Sequence, residues 1–188
     1  PIYGGSGVYN IIFDHNSISW GIDENTSSYA DVNSITYSWN IISEALWNAQ
    51  HDKGPHSMGI MFGGTDGLAT KISMHHNLLA HNWQRNPRVQ GNTGLEIINN
   101  IVYNWGSRGM SISTAITGLT EPNMNIIGNY YKAGINSNST PRHVVLDPMT
   151  GIELIYVEGN ISPSTPTLAT PVWDFMLAPT QTSMQRST

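Results

Sequence analysis

Short runs with apolar residues at alternate positions recur along the chain, and each ends on an asparagine. They are Ile12-Phe13-Asp14-His15-Asn16, Ile35-Thr36-Tyr37-Ser38-Trp39-Asn40, Ile72-Ser73-Met74-His75-His76-Asn77, Leu95-Glu96-Ile97-Ile98-Asn99-Asn100, Met124-Asn125-Ile126-Ile127-Gly128-Asn129 and Leu154-Ile155-Tyr156-Val157-Glu158-Gly159-Asn160. Alternation of period two predicts strands with one face turned inward. No such segment buries its face alone, so successive coils must stack on one another. The predicted fold is all-β, a right-handed parallel β-helix, with the asparagines at equivalent corners. Asparagine tolerates the left-handed backbone a corner needs, and stacked amides can bond along the solenoid axis. The final asparagines lie 24, 37, 23, 29 and 31 residues apart, which places insertions after Asn40 and Asn100. A β-sandwich of short strands is the competing fold, since turn signals at similar intervals occur there too.

Composition agrees with an all-β chain and narrows its partners. Of 188 residues, 39% are hydrophobic and only 11% charged, with 18 Gly, which is poor material for long helices. A chain of this length fits one domain. Residues 1–161 are expected to form the helical body. Residues 162–188, rich in Ser, Thr and Pro, read as an irregular tail that packs on the body through Val172-Trp173-Asp174-Phe175-Met176-Leu177. The net charge of −5 comes without any Lys/Arg run, so the footprint of a nucleic-acid binder is missing. No apolar run is long enough to suggest a membrane span. With no Cys, neither a disulfide framework nor a thiolate zinc site is available. The start, Pro1-Ile2-Tyr3-Gly4-Gly5, has neither an initiator Met nor a signal-peptide pattern and reads as truncated or processed.

Three segments carry a chemical signal. Ile12-Phe13-Asp14-His15 followed by Ser17-Ile18-Ser19-Trp20-Gly21-Ile22-Asp23-Glu24-Asn25 resembles the hydrophobic-Asp-His motif and acidic turn of the pectate lyase family. His51-Asp52-Lys53, ahead of the stretch from Gly59 to Gly64, is similar to that family's His-Asp-Lys. His75-His76-Asn77-Leu78-Leu79 leading into Arg85-Asn86-Pro87-Arg88 resembles its His-Asn-hydrophobic strand and Arg-x-Pro-x-x-Arg. Their order matches the family, and they span residues 3 to about 106.

The resemblance implies β-elimination of a polyuronate such as pectate, with calcium as cofactor, by a secreted or periplasmic protein. The chemistry requires removal of the C5 proton, stabilisation of charge on the adjacent carboxylate, and departure of the C4 oxygen. A calcium ion binds oxygen ligands and meets the second need as a Lewis acid. Asp23 and Glu24 are the expected ligands, with Asp31 ranked behind them; a solvated acidic turn is the alternative. Arg85 matches the family's base. A free guanidinium stays protonated, so this role needs a positive field, from calcium, Lys53 and Arg88. The alternative is that Arg85 only clamps a sugar carboxylate. By analogy Lys53 contacts the substrate's acid group.

Arg88, Gln90 and Trp83 are expected to bind substrate, Trp83 because it stands two residues before Arg85. Trp20, Trp39, Trp47 and Trp105 can stack on sugars or cap the core. Asp14 and His15, on a strand read as inward-facing, need satisfied hydrogen bonds when buried, so a structural polar network under the groove stands level with direct catalysis, and support is the role assigned to them. His75 and His76, as successive strand residues, point to opposite faces and should not meet at one ion.

Two departures from the family pattern bear on turnover. Gln90 stands where the final Arg is expected, and cannot form a charged fork with a carboxylate. Only ten residues precede Ile11 and none is acidic, so an upstream calcium ligand and its coil are expected to be missing. A non-catalytic carbohydrate-binding or adhesin-like β-helix is therefore the competing function. A hydrolase should instead show paired carboxylates, where the groove sequence offers Lys and Arg.

Overall fold

The computed structural model describes residues 2–3, 7–29, 31–63, 69–90, 93–113, 123–138, 144–146, 153–163, 176–177 and 184–185. These form a right-handed parallel β-helix with three sheets as its walls. One wall contains β1 (Ile2–Tyr3), β4 (Glu24–Tyr29), β7 (Met58–Gly63), β10 (Arg88–Gln90), β13 (Met110–Ser113), β16 (Val144–Leu146) and β18 (Met176–Leu177). The second contains β2 (Val8–Asp14), β5 (Val32–Ser38), β8 (Ala69–His75), β11 (Thr93–Ile98), β14 (Asn123–Ile127), β17 (Glu153–Glu158) and β19 (Met184–Gln185). The third contains β3 (Ser17–Ser19), β6 (Ile41–Ser43), β9 (Leu78–Ala80), β12 (Ile101–Tyr103) and β15 (Tyr130–Lys132). Every pairing among these strands is parallel, which rules out the sandwich of antiparallel strands.

The alternation seen in sequence becomes vertical columns inside the helix. Ile35, Ile72, Leu95, Met124 and Ile155 stand in register and are all buried. On the other walls, Phe62, Val89 and Ile112, and Ile42, Leu79, Val102 and Tyr131, do the same. Each fully buried side chain of this size contributes roughly 1.5–3 kcal/mol.

The asparagine ladder is present at the corner between the second and third walls. Nδ2 of Asn16 donates to Oδ1 of Asn40 at 3.0 Å, Asn40 to Asn77 at 2.9 Å, Asn77 to Asn100 at 3.0 Å, Asn100 to Asn129 at 3.0 Å, and Asn129 to Asn160 at 2.9 Å. Its cause differs from the expectation. The left-handed residue at each corner is the one before the asparagine: His15, Trp39, His76, Asn99, Gly128 and Gly159, with φ between 53° and 64°. The asparagine is required for its amide, which also captures the backbone N–H of the neighbouring coil, as in Asn40 N–H to Asn77 Oδ1 at 2.9 Å.

The insertion after Asn40 is the loop between β6 and β7, whereas the one after Asn100 falls partly on residues 114–122, outside the described residues. Of the expected tail, β18 and β19 extend two of the walls by short parallel pairings. Residues 172–175 lie outside the described residues.

Candidate active site

The turn between β3 and β4, the β6–β7 loop and the β9–β10 turn converge on the outer face of the first wall. A second amide network sets their geometry. Asn25 Nδ2 donates to Asn82 Oδ1 at 3.1 Å, and Asn82 Nδ2 donates to Asn86 Oδ1 at 3.0 Å, all three side chains being buried. Asn25 follows Glu24 and Asn86 follows Arg85, so the network fixes an acidic and a basic residue from different coils. The Arg85 backbone is left-handed, at φ 63°, and its carbonyl accepts from Ile60 N–H at 2.8 Å. Gly59 makes this approach possible: a Cβ there would lie 2.5 Å from Arg85 O and 2.7 Å from Asn86 Oδ1.

The resulting groove, about 430 Å³, is lined by Asp23, Glu24, Lys53, Arg85, Arg88 and Gln90, with Ser27, Tyr29 and Met61 beneath them. Six residues expected from sequence to act on substrate or metal thus share one cleft. The Arg85 guanidinium contacts the Glu24 carboxylate directly and lies 3.6 Å from Asp23 Oδ1. Lys53 Nζ is 3.9 Å from Asp23 Oδ2 and mostly exposed. Arg88 donates to Ser113 Oγ at 3.1 Å.

Burial, and then Arg88, push the Arg85 guanidinium below its ordinary range, while Asp23 opposes them. Glu24, in contact with it, also favours the charged form. The expected positive field is therefore joined by desolvation, which the sequence did not reveal.

Sequence reasoning left His51 and His56 without a role. His51 Nε2 lies 3.4 Å from Asp23 Oδ2, His56 Nε2 lies 2.8 Å from Asp23 Oδ1, and the two rings stack at 4.5 Å. Asp23, His51 and His56 each place one ligand atom within 4.8 Å of the others, a cluster of the residue types that transition metals take. The tautomer argues against such a metal here. Lys53 N–H donates to His51 Nδ1 at 3.1 Å, which leaves the proton of a neutral ring on Nε2, facing Asp23. His51 therefore turns Nε2–H toward Asp23, 3.4 Å away, and offers no lone pair there. The one signal in sequence was the pair of histidines flanking Lys53 in a single loop.

The donor chemistry suits calcium better. Asp23 and Glu24 give carboxylate oxygens to one groove, and Asp23 Oδ1 is buried without a hydrogen bond of proper geometry. Two carboxylates fall short of the six to eight oxygens calcium takes. Asp31 is exposed and is not among the residues lining the groove.

Three expectations are corrected. Asp14 and His15 are not buried under the groove: their side chains are 46% and 71% exposed at the edge of the second wall. Asp14 accepts from Ser38 Oγ at 2.5 Å and meets His15 Nδ1 at 2.6 Å, while His15 stacks near Trp39 and Trp39 on His76. Regular alternation points Asp14 outward, opposite the core-facing Phe13, and the left-handed His15 at the corner stays on the same outer side. For the same reason His75 and His76 do meet, Nδ1 to Nδ1 at 3.0 Å, because β8 ends at His75 and alternation stops there. Trp83 does not line the charged groove but a neighbouring cavity, with Trp47.

No family model matches the chain. Among curated proteins it is 40% identical to a probable pectate lyase C of Aspergillus oryzae over 131 residues, 70% of this chain and 28% of that protein. It is 39% identical to the probable pectate lyase C of Aspergillus fumigatus over 130 residues, 69% of this chain and 27% of that protein. The namesake of Emericella nidulans is 37% identical over 131 residues, covering 70% and 27%. The chain thus spans about a quarter of the length of the relatives it matches. Three ordered motifs, parallel β-helical coils and about 40% identity to these relatives agree, and the chain is a homologue of the pectate lyases.

Proposed function

We propose that this chain carries the active groove of an extracellular pectate lyase, which cleaves polygalacturonate or a related polyuronate by calcium-assisted β-elimination. The observation that carries the reading is the convergence of Arg85, Lys53 and Arg88 with Asp23 and Glu24 in one cleft. Asp23 and Glu24 would hold calcium, which would supply Lewis-acid stabilisation of the charge that develops next to C5. Lys53, exposed at the rim, binds the uronate acid group. Arg85 takes the C5 proton, a role supported by its burial and by the Arg88 charge, both of which weaken its hold on its own proton. His51 and His56 keep Asp23 oriented.

A non-catalytic groove is the second reading, and the Arg85–Glu24 contact favours it, because a guanidinium paired with a carboxylate keeps its proton. Formation of unsaturated product from polygalacturonate, measured with calcium, with a chelator, and after calcium is restored, separates the two. The lyase reading expects product that stops on chelation and returns with the ion. Binding of the polymer without product overturns it.

A further inference from the structure

Beside the charged groove lies a second cavity of about 330 Å³, lined by Trp47, Trp83, His81, Asn104, Ser57 and Asn136 among others. The Trp47 and Trp83 rings face each other at 4.6 Å with a 50° tilt, and the residues are 46% and 37% exposed. Trp83 is firmly seated. Its carbonyl accepts from Gly106 N–H at 3.0 Å and Ser107 N–H at 2.8 Å, and its ring occupies the space where a Cβ on Gly106 would stand, 1.9 Å from Cε3. The polar part of the lining is ordered too. Asn104 Nδ2 donates to His81 Nδ1 at 2.8 Å, and Asn136 N–H donates to Asn104 Oδ1 at 2.9 Å.

No Asp, Glu, Lys or Arg is among the described residues lining this cavity, in contrast to the groove next to it. A uronate carboxylate placed there would lose water without gaining a cation, which is costly. An uncharged pyranose loses nothing of the kind: its C–H face packs on indole, and its hydroxyls meet amides and an imidazole. The same two segments serve both places. The β6–β7 loop puts Trp47 in the cavity and Lys53 in the groove, and the β9–β10 turn puts Trp83 in the cavity and Arg85 in the groove.

We infer that the Trp47–Trp83 cavity is a subsite for an uncharged sugar unit of the polymer whose charged units occupy the groove. The identity of the polymer rests on the lyase reading, while the preference for an uncharged sugar rests on the cavity alone. Two sources share this chemistry, a methyl-esterified galacturonate and a neutral sugar branch.

The test measures affinities of the protein and its Trp83→Ala, Trp83→Phe, Trp47→Ala and Gly106→Ala variants by calorimetry. The ligands are a methyl-esterified oligogalacturonide, a neutral oligogalactoside and an unesterified oligogalacturonide. Trp83→Ala and Trp47→Ala should each weaken binding of an uncharged ligand about tenfold. Trp83→Phe should restore part of it, and Gly106→Ala should reproduce the loss by displacing the ring. Affinity for the unesterified oligomer should change much less. Which uncharged ligand responds identifies the source. Where Trp83→Ala does not fold, checked by its denaturation midpoint, the more exposed Trp47 carries the test. Equal losses for charged and uncharged ligands, or no measurable binding of either uncharged ligand, overturn the inference. Product formation with tryptophan-independent binding discards the subsite and keeps the lyase. Tryptophan-dependent binding without product discards the lyase and keeps the subsite.

Discussion

The guanidinium of Arg85 meets the carboxylate of Glu24 across 61 residues of chain, brought together by the amide network of Asn25, Asn82 and Asn86. The contact poses the chemical question of this groove, since Arg85 must be neutral to accept a proton while the Glu24 carboxylate favours its charged form.

Arg85→Lys retains one positive charge but moves the basic atom and loses the planar fork. Turnover on polygalacturonate should fall by about a hundredfold to ten-thousandfold. Affinity for a non-cleaved oligouronate should weaken little. Near-normal initial rates would remove Arg85 from the role of base.

Lys53→Ala should weaken oligouronate binding and lower turnover together, because the exposed ammonium contacts substrate directly and is not needed to hold the fold. Separate measurement of affinity and of single-turnover rate checks this. An effect on one alone would assign Lys53 a narrower role.

Gly59→Ala places a methyl group against the Arg85 carbonyl and the Asn86 amide. The expected cost is about 1–3 kcal/mol of stability, read from urea denaturation, with a loss of turnover at temperatures where the variant is folded. Unchanged activity would mean that the Arg85 backbone can shift without consequence.

Asn77→Ala removes the acceptor for the Asn40 backbone N–H and for one Asn40 Nδ2 hydrogen, the other staying on the Phe13 carbonyl, so two buried N–H bonds lose their partner. The cost should be roughly 3 kcal/mol. Asn16→Ala, at the exposed end of the ladder, should cost about 1 kcal/mol or less. Equal effects in denaturant unfolding would contradict a ladder whose energetics depend on burial.

The Asp14 carboxyl is held below its ordinary value of 3.8 by the Ser38 hydroxyl and then by His15. Its folded state binds fewer protons than the unfolded chain, so its stabilising effect is fully present above the ordinary carboxylate range. That effect is lost as pH falls through the lowered value. Asp14→Asn should therefore be less stable than the parent at neutral pH, with the difference closing below pH 3.8. A difference that stays constant with pH in thermal unfolding would show that Asp14 acts by packing alone.

The sequence by itself determined the coil, because period-two alternation ending on asparagine has one economical solution, a stack of parallel strands with an amide ladder. Motifs resembling those of the pectate lyases also singled out Arg85, Lys53, Arg88, Asp23 and Glu24, with Gln90 as a departure from them, and the structure brings the six to one cleft. Tertiary structure alone decided what happens at corners and between coils. Alternation fixes a face only within a strand, and a left-handed residue resets it, which is why His15 lies on the same outer side as Asp14 and His76 meets His75. Burial of Arg85, the close approach of His51 and His56 to Asp23, and the separation of Trp83 from the charged groove all depend on how loops of neighbouring coils pack. Loop lengths and side-chain packing set that adjacency, and no local pattern encodes it.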